Sequence, residues 1–229
     1  MIRNFKVLGL ALVVAVALSA TAAATASANF DSESEVTKFS GGQSTTHEIT
    51  VAAGSTTCEE VSFPGESTGV LTGGAYTTET LTIKPVYNKC SSVVLGEKRT
   101  THINTNGCSF LFTAGATTEA GTKVDGTVDV VCPAGQSIDI QITGPEVCTI
   151  TVPAQAGLPG ITYHNTGSGS TRDIDITASV STLTYIQHGF LCPSNDFMST
   201  KTFTNGKITG STTLIGKNGA GTQVGIWVV

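Results

Sequence analysis

The residues best equipped for chemistry in this chain are its six cysteines. They contain no C-x-x-C pair and no histidine at zinc-like spacing, which disfavours a metal site. An even number of cysteines in an exported chain indicates structural disulfides. Cys58 and Cys90 flank neighbouring strand candidates and are the first expected bridge. We expect the other four to pair as Cys108 with Cys148 and Cys132 with Cys192, with the connectivity left open by the sequence.

One pentapeptide has the form of a catalytic serine motif. Gly65-Glu66-Ser67-Thr68-Gly69 matches G-x-S-x-G, in which a serine is exposed at a sharp strand-to-helix turn. Here the motif follows Pro64 and leads into a glycine-rich stretch that is no helix start. We therefore predict an ordinary loop at Ser67, no catalytic residue and no enzyme activity.

The histidines and carboxylates suggest no metal or cofactor site. His47, His102, His164 and His188 belong to four separate segments, and no two have the spacing of paired ligands. Asp173 with Asp175, and Asp125 with Asp129, could offer oxygens to calcium, but no dedicated loop accompanies them. The glycine-rich segment 167–171 lacks the lysine of a phosphate loop and predicts a connection between strands. Solvated carboxylates and no cofactor are the expectation.

Aromatic platforms for sugars are few. Tyr76, Tyr87, Tyr163 and Tyr185 lie in or beside strand candidates, where core packing is as good an explanation as ligand contact. The only tryptophan, Trp227, lies in segment 222–229, whose two faces are both apolar. We predict that this segment is an interior strand with a buried indole; an exposed indole would make Trp227 a candidate ligand platform.

Short strands must position all these residues. Ile138, Ile140 and Ile142 alternate with polar residues, and the segment containing Ile174 and Ile176 has the same period of two. Asn-Gly and Gly-Gly pairs separate about a dozen such segments, and Asn-Gly favours tight hairpin turns. The pattern predicts an all-β protein, either an antiparallel β-sandwich or an extended two-sheet architecture, stapled by disulfides.

The N-terminus has the order of a secretory signal peptide. Arg3 and Lys6 precede an apolar run of about 14 residues, shorter than the roughly 20 needed to span a bilayer, and Ala26-Ser27-Ala28 forms the cleavage pattern. We predict a signal peptide over 1–28, a single β domain over 29–229 starting at Asn29, no transmembrane segment in the mature chain, and a secreted, extracellular location. The net charge of −5 and the lack of a basic patch disfavour nucleic acid.

Five segments carry a resemblance to a group of uncharacterised secreted actinobacterial β-rich proteins with six cysteines. The resemblance implies export, disulfides and a shared scaffold over most of the mature region, and no activity. The segments are Asn106-Gly107-Cys108, Val130-Val131-Cys132-Pro133-Ala134-Gly135, Asn165-Thr166-Gly167-Ser168-Gly169, Gly189-Phe190-Leu191-Cys192-Pro193 and Val224-Gly225-Ile226-Trp227.

These observations favour a non-catalytic structural or adhesive module of the cell envelope or extracellular space. A module that binds carbohydrate or another ligand is the alternative, and a secreted hydrolase is less favoured. Contact with the envelope or with glycans is the partner class that this composition suggests. The strand pattern itself does not decide among these functions, because one fold hosts many.

Overall fold

The computed structural model describes residues 28–63, 77–94, 96–118, 123–144, 148–189, 192 and 200–229. In these residues the protein is all-β, which confirms the predicted fold class, and the one helical element is a 3-10 turn at Gly169–Thr171. The strands are β1 Phe30–Ser32, β2 Lys38–Gln43, β3 His47–Val51, β4 Gly54–Phe63, β5 Thr77–Thr78, β6 Thr80–Ile83, β7 Val86–Val94, β8 Glu97–Asn104, β9 Ser109–Thr118, β10 Lys123–Val131, β11 Ile138–Ile142, β12 Cys148–Val152, β13 Gln155–Thr166, β14 Asp173–Gly189, β15 Lys201–Lys217, β16 Gln223–Val224 and β17 Ile226–Val228.

Eight strands close into a barrel. Its order is β3, β4, β7, β8, β11, β12, β14 and β15, and β15 returns to β3 through the pairs Lys207 with Thr50 and Ile208 with Ile49. Every pairing in the ring is antiparallel. Closure removes the open sheet edges that a sandwich retains. The predicted sandwich is therefore replaced by a barrel, because β14 and β15, each 17 residues long, pair with partners on both sides.

Beyond the barrel, the same two long strands continue into a second curled sheet. There β14 pairs with β13, which leads through β10 and β9 to β6, while β15 pairs with β2. We call this part the outer lobe. A three-stranded sheet in the order β17, β1, β5, which we call the cap sheet, packs on it. Phe30 of the cap sheet meets the ring of Tyr163 edge to face, with ring centroids 5.1 Å apart.

Alternation of apolar and polar residues places the strands as predicted. Ile138, Ile140 and Ile142 are buried, and so are Ile174 and Ile176, while the residues between them are half-buried or exposed. Burial of one such side chain stabilises the fold by about 1.5 to 3 kcal/mol relative to exposure. The alternation of apolar and polar residues in these segments thus matches the alternation of buried and more exposed side chains in the sheet.

Hydroxyl groups are also buried in the barrel. Ser92 Oγ lies 2.6 Å from Thr56 Oγ1 and 2.7 Å from Thr101 Oγ1, and all three residues are almost fully buried. Each of these three hydroxyl groups therefore has a hydrogen-bond partner on a neighbouring strand. A buried hydroxyl without one would cost about 1 to 3 kcal/mol.

All six cysteines form disulfides, and two of the three predicted pairings are wrong. Cys58–Cys90 is confirmed and joins directly opposed residues of β4 and β7. Cys108 pairs with Cys132 because the two residues flank the β9–β10 hairpin, and Cys148 pairs with Cys192 because β12 lies beside the end of β14. The expected Cys108–Cys148 and Cys132–Cys192 bridges would instead have joined different strand pairs.

The segment predicted as a signal peptide, 1–28, lies outside the described residues except for Ala28. This residue is buried, and its backbone N–H donates to the Gly115 carbonyl at 2.8 Å. Ala28 is thus in contact with β9. The predicted start at Asn29 and the single domain over 29–229 stay predictions.

Candidate functional site

An open concavity lies beside the cap sheet. Its volume is about 530 Å³, within the range of roughly 300 to 1,000 Å³ typical of small-molecule sites. We call it the outer concavity. The side chains around it are aliphatic, amide, guanidinium and indole, a mixture suited to holding a partly polar ligand. The lining residues are Val124, Asn165, Gly167, Arg172, Trp227, Val228 and Val229.

A stacked cation is the distinctive feature of the outer concavity. The guanidinium carbon of Arg172 lies 4.8 Å from the ring centroid of Trp227, a cation–π contact. Both side chains are half-buried. Among the described residues, Arg172 forms no ion pair and no side-chain hydrogen bond, whereas Lys89 pairs with Glu60 and Arg99 with Glu97. The guanidinium therefore keeps its hydrogen-bond donors for another partner.

Backbone contacts hold this pair in place. The carbonyl of Arg172 accepts a hydrogen bond from the Ile226 N–H at 2.9 Å, which fixes the position of β17 beside the 3-10 turn. Gly225 passes so close to this turn that a Cβ atom there would lie 2.1 Å from the Gly169 carbonyl oxygen. Only glycine fits at that point without a backbone shift. The glycine-rich segment 167–171 is thus a connection between β13 and β14, as predicted, and it also borders the site.

The prediction for the C-terminal segment is wrong in two respects. Within the cap sheet, β17 pairs only with β1 and is an edge strand, and Trp227 is half-buried, not buried. The free edge of β17 hydrogen-bonds to a side chain. Asn165 Nδ2 donates to the Val228 carbonyl and Asn165 Oδ1 accepts from the Val228 N–H, both at 2.8 Å. This amide replaces a neighbouring strand, so an apolar edge needs no lysine for protection. The predicted burial of Val224, Ile226 and Val228 is confirmed.

A carboxylate lies on the same face as the indole. Asp31 is directly opposite Trp227 in the β1–β17 pairing and opposite Thr77 in the β1–β5 pairing. Its Oδ1 atom is buried and has no hydrogen-bond partner among the described residues. Asp31 makes no ion pair with Arg172 either, so the two opposite charges do not cancel each other by direct contact.

The four histidines do not converge. His47 is half-buried, while His102, His164 and His188 are exposed on different strands. His47 Nε2 lies 2.9 Å from Thr212 Oγ1 and 3.3 Å from the Ser211 carbonyl. Burial lowers the pKa of His47, with the hydrogen bond to the Ser211 carbonyl acting in the opposite direction. No cluster of three metal-ligating side chains occurs within the described ranges.

The aspartates considered as calcium ligands accept hydrogen bonds from uncharged groups. Asp173 accepts from Gln223 Nε2 at 2.8 Å and Asp175 from Thr213 Oγ1 at 2.6 Å. Partial burial raises the pKa of Asp173, against the hydrogen bond from Gln223. On β10, Asp129 accepts from the Gly157 N–H at 2.7 Å. These carboxylates each accept a hydrogen bond from a residue of another strand and do not surround a common point.

The tyrosines are core residues where they can be placed. Tyr163 and Tyr185 are almost fully buried, and Tyr185 stacks on Phe203 with centroids 5.1 Å apart. Tyr87 borders an internal cavity. Ser67 and Tyr76 lie outside the described residues, so the predicted loop at Ser67 stays a prediction.

The internal cavity lies between the barrel and the outer lobe and has a volume of about 50 Å³. Its wall is apolar apart from a few atoms, and Phe63, Phe112 and Ile176 contribute to it together with His47. A space this small is a packing gap that accepts a few atoms at most, well below the volume of common ligand sites. The outer concavity is therefore the better candidate for function.

Sequence reasoning identified Trp227 and missed Arg172. The tryptophan was considered as a ligand platform only if exposed, and the structure places it between exposed and buried. Arg172 is separated from Trp227 by many residues, and its charge gives no local pattern. The nearest signal was the glycine-rich segment before it, since short glycine-rich connections allow close backbone approach.

Comparison with known proteins gives no relative for this chain: no family model, curated protein or solved structure matches it. In the described part of the chain, no helix has the length and apolar character needed to cross a membrane.

Proposed function

We propose that the chain is a non-catalytic extracellular module that adheres to its surroundings by holding a carbohydrate in the outer concavity. The observation that carries the proposal is the half-exposed Trp227 at a concavity of about 530 Å³. Indole rings present a flat apolar surface with a polar N–H, which suits the C–H faces of sugars. The sequence favoured an adhesive role and left ligand binding as the alternative. In this proposal the protein adheres by binding carbohydrate, so the two roles coincide.

Several features support an extracellular setting. Three disulfides are typical of proteins that fold in an oxidising compartment, and the N-terminal residues have the pattern of a signal peptide. The closed barrel gives such a module a rigid support. We therefore propose, as part of the same function, that the protein is secreted and that it is related to the secreted actinobacterial proteins that it resembles.

The arrangement around the concavity favours binding over catalysis. Its described lining includes one ionisable side chain, Arg172, and a guanidinium group does not act as a general base near neutral pH. A secreted hydrolase would need its nucleophile and base elsewhere.

The test is a glycan array probed with the purified protein, followed by titration of each hit. Trp227 is the only tryptophan, so its fluorescence reports on this site directly. We expect bound glycan to change the emission of the wild type. We expect Trp227→Ala to lose binding on the array, which is the readout for this variant because it has no tryptophan. Val93→Ala, at an exposed barrel residue, is the matched control and should bind normally. Absence of any glycan binding, or full binding by Trp227→Ala, would refute the proposal.

A further inference from the structure

We infer that the carbohydrate held in the outer concavity is acidic, and that Arg172 binds the carboxylate of a uronate-type sugar. This inference rests on the proposed function, because it assigns a ligand class to the same site. Three observations support it: the position of Arg172 against Trp227, the absence of a described acceptor for its guanidinium, and the negative net charge of the protein.

The guanidinium of Arg172 is held in place and has unused donors. It lies 4.8 Å from the centre of the Trp227 ring, and its own backbone carbonyl is fixed by Ile226. Contact with a ring face leaves the planar fork of N–H groups free for an acceptor. No described residue supplies one, since Asp31, the carboxylate opposite Trp227, forms no ion pair with it. The acceptor is therefore expected to come from a ligand.

Arginine selects among anions by shape. Its fork matches a carboxylate with two parallel hydrogen bonds. A single guanidinium balances the single charge of a carboxylate, whereas a phosphate at neutral pH carries more charge and is usually held by several donors or cations. Asn165, the other polar side chain in the lining, already uses its amide on the Val228 backbone. The site therefore offers one strong anion contact beside an indole, which corresponds to one uronate residue.

General attraction of polyanions does not explain this contact. The chain has a formal net charge of −5 at pH 7, so an acidic polysaccharide is repelled at long range. Two other cations, Lys89 and Arg99, form ion pairs with glutamates. An acidic glycan that binds must gain its affinity locally, and Arg172 is the cation at the concavity that can provide it.

The experiment compares a matched pair of ligands by Trp227 fluorescence. An oligogalacturonate and the same oligosaccharide with its carboxylates reduced to alcohols are titrated into the purified protein. We expect the acidic ligand to bind at least about tenfold more tightly, the range for hydrogen bonds to charged groups. Inorganic phosphate is titrated as a competitor, and we expect no displacement at concentrations similar to the ligand.

Two variants assign the preference to Arg172. Arg172→Gln should lose it, and Arg172→Lys, which keeps the charge without the fork, should retain only part of it. Arg99→Gln changes the net charge by the same amount away from the site and should bind like the wild type. Circular dichroism and the melting temperature establish that each variant is folded.

The outcomes separate this inference from the proposed function. If neither ligand binds and the glycan array is blank, the proposed function fails. If glycans bind but the neutral oligosaccharide binds as tightly as the acidic one, or if folded Arg172→Gln and Arg172→Lys keep the full preference, then only the acidic assignment is overturned. Displacement by phosphate, or tighter binding of a phosphorylated glycan, would overturn the choice of a uronate.

Discussion

The barrel and the cap sheet differ in how their polar groups find hydrogen-bond partners and in how their strands are cross-linked. In the barrel every strand has neighbours on both sides, the buried hydroxyls of Thr56, Ser92 and Thr101 bond to one another, and Cys58–Cys90 crosses two adjacent strands. The cap sheet has three short strands, and no disulfide joins its described residues. One of its edges is closed by the side chain of Asn165.

Two charged side chains at or beside the cap sheet lack an ionic partner among the described residues. Arg172 has no anionic partner among the described residues, and Asp31 Oδ1 is buried without a hydrogen bond there. A buried polar atom without a partner, such as Asp31 Oδ1, costs stability, and natural proteins break this rule most often at functional sites. The comparison suggests that the barrel supplies stability while the cap sheet supplies the contact surface, and this division can be tested one region at a time.

The largest effect is expected from the barrel disulfide. Replacing Cys58 and Cys90 together by alanine opens a loop with a sequence separation of 32 residues, and the chain-entropy relation gives a loss of about 3 to 4 kcal/mol in the free energy of unfolding. Denaturant titration measures it. If the two regions are separate in function, the emission of native Trp227 stays unchanged. A shifted native emission would show that the barrel also shapes the concavity.

A smaller loss is expected from the edge of the cap sheet. Asn165→Ala removes two hydrogen bonds to Val228, and we expect a loss of about 1 to 3 kcal/mol. Hydrogen exchange at the Val228 amide should become faster, and the Trp227 emission should shift because β17 carries the indole.

The matched control is Asn104→Ala on β8. Asn104 Oδ1 accepts one hydrogen bond, from the Asn106 N–H at 3.0 Å, at an exposed position. We expect little change in stability and none in emission. An Asn165→Ala protein with normal exchange at Val228 would mean that the side chain does not hold the edge.

The contrast also explains which parts of the structure the sequence could predict. Ile138, Ile140 and Ile142 were placed correctly because side-chain alternation is local along a strand. Cys58–Cys90 was predicted from adjacent strand candidates. The Cys108–Cys132 pair had a similar signal, since the two cysteines flank a hairpin, but the hairpin itself was not assigned.

Closure and the site depend on distant residues. Whether β15 returns to β3 is set by pairing between residues far apart in the sequence, which alternation does not encode. The same holds for Asn165 and Val228, and for Arg172 and Trp227: each pair meets only after several strands have been placed. Apolar residues on both faces of segment 222–229 suggested an interior strand, because nothing near them indicated that an asparagine side chain would serve as the missing neighbour.

The smallest effect should come from pH and should separate the two regions once more. Burial lowers the pKa of His47 from its ordinary value of 6.5, so the folded protein binds fewer protons there than the unfolded chain. The contribution of neutral His47 is fully present above pH 6.5 and declines as the pH falls below that value toward the lowered pKa. Thermal unfolding of the wild type between about pH 7.5 and about pH 5.5 should show this decline, and His47→Gln should show a weaker one.

The cap side should not follow this trend. Guanidinium and uronate carboxylate groups both keep their charge in this pH range, so the affinity for an acidic glycan is expected to stay level while the melting temperature falls. His102, His164 and His188 are exposed and present in both proteins, so the difference between wild type and His47→Gln isolates the buried ring. An equal decline in both proteins would mean that groups other than His47 cause the pH dependence. An affinity that fell in parallel with the melting temperature would mean that binding depends on the stability of the barrel.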